Sequence, residues 1–484
     1  SKVLPDPRDV GIRLDDVILR WPAGAWAFPQ WPTLIVQWAT VVVALVVAWR
    51  FELPRRGLVV VTAGLVLLLG WMAAHDLFVA YVWSNRVLVA SLAMLALFWR
   101  PFPLLSRVLP GLGRAELRLI GLVIAAAIAI RLLGVFYPHF GSHDLIIHRW
   151  RLREVQLGYL YLFDKPSEFG QQTVVPPAFY LLVMPFTLLI DNSAFTLQAA
   201  YALLDGSYAL LVAILVRQIG GSGRAATLAA ITTATLPIQF TALWWGFGPQ
   251  IAGQWLLVLL ALLVERRNST SRYAWFVAGV VLALALLTHN SALFLGGVWL
   301  AGYVLLASRF QPQSLWKRWG VILLASSLVA TLLLYADSVG LYLGGFARGA
   351  TETSVDESLR VVLIGKGLRS SVRPLGLMLC VLSVVMVLRR APTTYHLLVV
   401  AWLLSAGLFL AVDLLFGLQV RYAYFAIPVI CAGFGLLLDG LMRRGRWGWL
   451  IGWSAIAITS LAGLSLWYAG VIWNIKPTLT ALTH

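Results

Sequence analysis

Charge is what this chain has least of. Asp, Glu, Lys and Arg together make up 12% of its 484 residues, whereas hydrophobic residues make up 60%. A soluble globular domain carries about 25% charged residues, so this chain has too little polar surface to face water on all sides. Cysteine is nearly absent as well. Cys380 and Cys431 are the only two, and both lie in apolar runs, which excludes a disulfide framework and a zinc ribbon. Acidic residues are outnumbered, 20 against 37 basic ones. The resulting net charge of +17 would suit a nucleic-acid partner. The basic residues, however, sit in short loops between apolar runs, so no nucleic acid is expected. The first 30 residues contain no apolar h-region, and no cleavable signal peptide is expected there.

Long hydrophobic runs are abundant. A spanning helix needs about 17–25 apolar residues, and fourteen runs qualify: 33–49, 57–75, 77–99, 117–137, 194–216, 225–242, 247–264, 273–288, 290–308, 317–335, 373–388, 393–416, 421–442 and 447–472. The expected fold class is all-α, a polytopic transmembrane bundle of about 14 spans (13–15), with an outer juxtamembrane-helix loop after the fourth. A further run, 174–190, is short and begins VVPPAFY. If it does not cross, loops 50–56, 100–118, 217–224, 265–272, 309–318, 389–392 and 443–446 share one side. They hold 20 Lys and Arg against three Asp and Glu, while the rest of the chain holds 17 of each sign. That asymmetry assigns these loops to the cytoplasm and makes 174–190 a re-entrant or interfacial helix. Both termini then fall outside.

Four parts are expected along the chain: a polar extracytoplasmic arm at 1–31, a three-helix accessory membrane module at 32–116, a membrane core at 117–440, and a C-terminal span and tail at 441–484. The Pro-, Gly- and Arg-rich link 100–118 marks the boundary of the module.

Ionisable groups at a membrane need a reason to be there. The richest stretch follows the fourth span, YPHFGSHDLIIHRWRLREVQLGYLYLFDKPSEFG at 137–170. Ser142 is the expected N-cap, with Asp144 in the first helical turn and His148 and Arg151 on its face. Asp144 is either a general base kept ionised by cationic neighbours or an acid complementing the helix dipole. His139, His143, His148 and Asp144 are also weighed as metal ligands, but Pro138 and Gly141 break the continuous helix that pairing His139 with His143 requires. A metal is possible but not required. Arg421, opening a late span with Tyr422, is either a phosphate ligand or a snorkelling interfacial arginine. His289-Asn290 is a tight turn or part of a site. Trp244, Trp245 and Gln250 line a sugar or lipid site, or belong to an interfacial aromatic belt. The segment 336–372, with Lys366 and Arg369 among its cations, is long for a connector and reads as a phosphate-gripping outer loop or a solvated one. Asp205 and Asp413 are intramembrane carboxylates, and Asp205, near a span centre, is expected to be paired or to line a cavity.

The order of these motifs resembles the GT-C superfamily of polytopic glycosyltransferases, which includes protein mannosyltransferases and lipid A aminoarabinose transferases. The resemblance covers about 117–440 and rests on GSHDLIIHRWRLREVQLG, PPAFYLLVMPF, GFGPQ, LLTHNS and RYAYFAIP. It implies that Asp144 is the catalytic base and that the donor sugar rides on a polyprenyl phosphate. Lipid, glycan or protein is the acceptor. Many members carry two adjacent acids where this chain has His143-Asp144. The expected function is therefore an inverting glycosyltransferase acting on the extracytoplasmic face of an inner membrane. Asp144 would be the base, with His148, Arg151, Gln250, His289, Lys366, Arg369, Arg421 and Tyr422 around substrate and phosphate. The alternatives are a transporter or lipid flippase working through Asp205 and Asp413, or a non-catalytic subunit of a membrane complex.

Overall fold

The computed structural model describes residues 30–161, 167–168, 171–172, 174–263, 272–310, 313–340, 357–389, 394–416 and 421–477. They form helices almost throughout, with one two-residue antiparallel ladder, β1 (Ser167–Glu168) and β2 (Gln171–Gln172). Among the described residues eleven helices are long and apolar enough to cross a membrane, and three shorter ones are apolar. The described parts of the fourteen expected runs are mostly helical, but the helices in runs 247–264 and 273–288 are only 16 and 15 residues long. The polar arm at 1–29 lies outside the described residues, as do Asp164, Arg348, Glu352, Asp356 and Gln419.

The N-terminal module is α1 (Trp31–Arg50), α2 (Arg55–His75) and α3 (Leu77–Leu97), followed by the short α4 (Pro101–Val108). α3 docks on α5 (Arg114–Val135): the Trp83 indole donates to the Leu133 carbonyl at 3.0 Å and Arg86 to the Phe136 carbonyl at 3.1 Å. These bonds use carbonyls from the last turn of α5, which have no partner within their own helix.

After α5 come two short helices, α6 (Leu145–Gln156) and α7 (Ala178–Thr187). The ten residues of α7 extend about 15 Å, too short to cross a bilayer. Next come α8 (Ser193–Gln218), α9 (Gly223–Thr235), α10 (Pro237–Trp245), α11 (Gly248–Leu263), α12 (Arg272–Leu286), α13 (Asn290–Phe310) and α14 (Gln313–Ala330). The chain closes with α15 (Glu357–Leu388), α16 (Thr394–Phe416), α17 (Tyr422–Met442) and α18 (Arg446–Ile472). Residues 357–372, expected in a loop, form the first turns of the 32-residue α15. Their charges suggest a loop, but nothing between Glu357 and Val372 breaks a helix apart from Gly365 and Gly367.

α9 and α10 form one crossing that is 94% buried and serves as the axis of the core. It bends at Leu236 because Pro237 cannot donate to the preceding turn. Arg131 of α5 fills the bend. Its guanidinium donates to the freed Ala234 carbonyl at 2.9 Å, lies 4.8 Å from the Phe240 ring centre, and forms an ion pair with Asp205 of α8. Neither side chain of that pair is exposed.

The two ends of the bundle differ. At one end Arg114 and Arg118 hold Glu52, and Glu116 lies against Gly223. There Arg224, Arg443 and Ser222 converge on Asp439 at 2.5–2.8 Å. Four of the seven basic loops therefore meet at this end. At the opposite end, loop 138–144, α6, the start of α7, the 246–248 turn, His289, Arg421 and residues 473–477 gather.

Candidate functional site

The site is assembled around the GFGPQ motif. Gly246 caps α10 in the left-handed region at φ +81°, and a Cβ there would come within 2.9 Å of Ser142 Cβ. The missing side chain lets loop 142–144 lie on the end of α10. Ser142 Oγ donates to the Leu243 carbonyl at 3.1 Å, the His143 amide to Trp244 and the Asp144 amide to Trp245, both at 3.0 Å. Phe247 carries Arg421 over its ring at 4.0 Å. Gly248 admits the Tyr201 ring, which would lie 1.7 Å from a Cβ. Gln250 accepts from the Arg421 guanidinium at 2.5 Å. The motif thus fixes Asp144 from one side and Arg421 from the other.

Ser142 is not the N-cap of α6, as the sequence suggested, because its hydroxyl is taken by Leu243. Asp144 occupies the N-cap position and makes no side-chain capping bond. Its carboxylate stands at the positive end of the α6 dipole but makes no capping hydrogen bond, so its oxygens are not taken up by the helix backbone. Burial pushes it above the usual carboxylate range, opposed by the positive fields of His143, Arg421, Arg151 and Lys476.

His148, one turn on, is buried, and its Nδ1 lies 2.7 Å from the Tyr180 hydroxyl of α7. Burial, reinforced by Arg151 and Arg421, lowers its pKa to about 3, although the Gly246 backbone accepts from it. His148 is neutral at physiological pH. It holds Tyr180, which also receives Arg151 at 3.4 Å. His289 is driven well below the ordinary histidine value by burial, then by Arg421, His148 and Arg151. Its Nδ1 accepts from the Ser291 amide at 3.1 Å, leaving Nε2 as the donor of the neutral ring. Arg421 itself sits in the left-handed region at φ +56°. Burial lowers its pKa to about 10, with Asp144 acting against the shift, so it stays cationic.

Six of the nine residues singled out from the sequence meet here: Asp144, His148, Arg151, Gln250, His289 and Arg421. Three do not. The Tyr422 hydroxyl donates to Asp413 at 3.0 Å, and Lys366 and Arg369 lie exposed on α15, outside the group of charges that acts on Asp144. Trp244 and Trp245 are only 5% exposed and so do not form an interfacial belt. Their indoles donate to the carbonyls of Gly470 at 3.2 Å and Pro477 at 3.3 Å.

Two contributors do not stand out in the sequence. Tyr180 is hidden in the apolar run AFYLLVMPF. Lys476 comes from the end of the described chain, its Nζ 4.4 Å over the Trp245 ring. A lone lysine after the last span carries no local signal.

Among the described residues no group of three or more His, Cys, Asp or Glu side chains is placed to hold a metal ion. The arrangement is one partly buried carboxylate within the field of several cations, with two neutral imidazoles, His148 and His289, in the same cluster. It can take up a proton beside a site that stabilises an anion. No protein-family model matches this chain, nor does any curated protein.

Proposed function

We propose that this protein is a GT-C-like membrane glycosyltransferase of about 14 crossings that moves a sugar from a polyprenyl-phosphate donor to an acceptor hydroxyl. The basic end faces the cytoplasm, and the Asp144 end opens on the outer face of an inner membrane. Asp144 takes the hydroxyl proton as the acceptor oxygen attacks C1 of the sugar. The bond from C1 to the carrier phosphate breaks with inversion, and the phosphate leaves with the electron pair. Arg421, fixed by Gln250 and Phe247, neutralises the charge that grows on that phosphate, joined by Arg151 and Lys476. A carboxyl raised above its ordinary range is a stronger base than a free one, which suits proton abstraction near neutral pH.

The observation that carries this reading is that one turn, 244–250, holds both groups: it docks the Asp144 loop through the Trp244 and Trp245 carbonyls and holds Arg421, far off in sequence, through Phe247 and Gln250. The transporter alternative would have to work through two engaged carboxylates, Asp205 paired with Arg131 and Asp413 accepting from Tyr422. In membranes supplied with labelled polyprenyl-phosphate sugar, Asp144→Asn is expected to lower transfer by about 100-fold or more, and Arg421→Gln to lower it comparably. Undiminished transfer by Asp144→Asn removes the mechanism.

A further inference from the structure

At the basic end, away from Asp144, a cavity of about 1080 Å³ lies where the N-terminal module joins the core. Its walls come from the last turn of α1 and the loop after it, the turn between α3 and α4, α4 itself, and the first turn of α5 with Leu112 before it. Arg50, Arg100 and Arg114 line it with a single acid, Glu52. That acid is already engaged: Arg114 pairs with its carboxylate, and Arg118 donates to its carbonyl at 3.1 Å. The cavity therefore keeps an excess of positive charge.

Arg50 is poised in a specific way. Its guanidinium carbon lies 4.0 Å from the Trp99 ring centre and 5.3 Å from that of Trp49, and its buried Nε has no hydrogen-bond partner. A flat guanidinium stacked on an indole in the cavity wall presents its terminal nitrogens in a geometry that suits an oxyanion. The remaining wall is apolar, with Leu53, Phe102 and Leu112. Trp49 and Trp99 are both about half exposed, Trp49 in the last turn of one spanning helix and Trp99 just past the end of another. Indoles at that level sit among lipid headgroups. A small inorganic anion needs no apolar wall, whereas a headgroup with the first carbons of its acyl chains does.

We infer that this cavity binds the phosphodiester headgroup of an anionic phospholipid, clamping the N-terminal module to the core at the membrane surface. The inference is independent of the transferase reading, since the cavity lies at the opposite end of the bundle from Asp144.

The test uses the full chain extracted from bilayers of phosphatidylcholine doped with phosphatidylglycerol. Retained phosphatidylglycerol is counted by native mass spectrometry. Arg50→Gln with Arg100→Gln is expected to lower retention by about tenfold or more. Arg309→Gln, an exposed basic residue outside the cavity, is expected to leave retention unchanged. Arg50→Lys, a milder change, is expected to fall between wild type and the double variant. Equal loss in Arg309→Gln would mean that bulk charge, not the cavity, holds the lipid, and overturns the inference. So does displacement of the lipid by millimolar inorganic phosphate, which would make a soluble phosphate the occupant. Retention unchanged in the double variant, with size-exclusion and helicity matching wild type, also overturns it.

Discussion

Asp144 is held where its working form is disfavoured. Burial raises the folded-state pKa above the unfolded value. The stability cost therefore grows as pH rises from the ordinary carboxylate range to the raised pKa, and is fully present above it. Asp144→Asn removes that cost, so the variant is expected to unfold at a higher temperature than wild type while losing transfer. A lower midpoint would place the carboxylate among the stabilising groups instead. His148 works in the opposite pH window. Its folded pKa of about 3 lies below the unfolded value, so unfolding takes up a proton as pH falls below about 6.5. Stability should decline by about 1 kcal/mol per pH unit between pH 6 and 4 from this group. His148→Gln, read by thermal unfolding in detergent across that range, should flatten the slope. An unchanged slope would mean that His148 does not titrate on unfolding.

At the scale of elements, GFGPQ shows why some of the site was legible in the sequence and some was not. The motif's place before an apolar run marks a turn and a helix start, and both are present. Its partners lie far off in the chain: loop 142–144 through Gly246, Arg421 through Phe247 and Gln250, Tyr201 through Gly248. Apolar run length recovers the helices because a bilayer sets it. It does not recover helix ends where charge is tolerated, as in the first turns of α15, nor a bend such as Leu236-Pro237 inside the expected run 225–242. Tertiary pairings such as Arg131 with Asp205 are legible only in part. An arginine within AIAIRLLG signals a partner but not which one. Gly246→Ala tests the motif directly. An alanine held at φ +81° costs about 1–2 kcal/mol, and its Cβ would press on Ser142 Cβ at 2.9 Å. Transfer is expected to fall more than overall stability does, because the displaced loop carries Asp144. Equal wild-type transfer rates would show that the loop docks without the glycine.

At the scale of the molecule, the gathering of basic loops at one end and the Asp144 site at the other makes sidedness measurable. In a chain with Cys380 and Cys431 replaced by Ala, His143→Cys and Arg446→Cys each introduce one thiol, at opposite ends of the bundle. A membrane-impermeant maleimide added to intact cells should label position 143 and reach position 446 only after permeabilisation. Labelling of both from the same side would contradict a bundle with these two ends on opposite faces.

The pair between Arg131 and Asp205 also bears on how the protein is made. Synthesis delivers α5 to the membrane before α8 exists, so a newly inserted Arg131 has no carboxylate to meet. It lies one turn from the end of α5, and its long side chain can reach the headgroups while it waits. Once α8 is in place, the arginine has Asp205 to pair with, and the pair joins the two helices. Asp205→Asn leaves the cation stranded, at a cost of about 3–5 kcal/mol. The nascent chain should then be cleared by membrane proteases, with a lower steady-state level that Arg131→Met in the same chain restores.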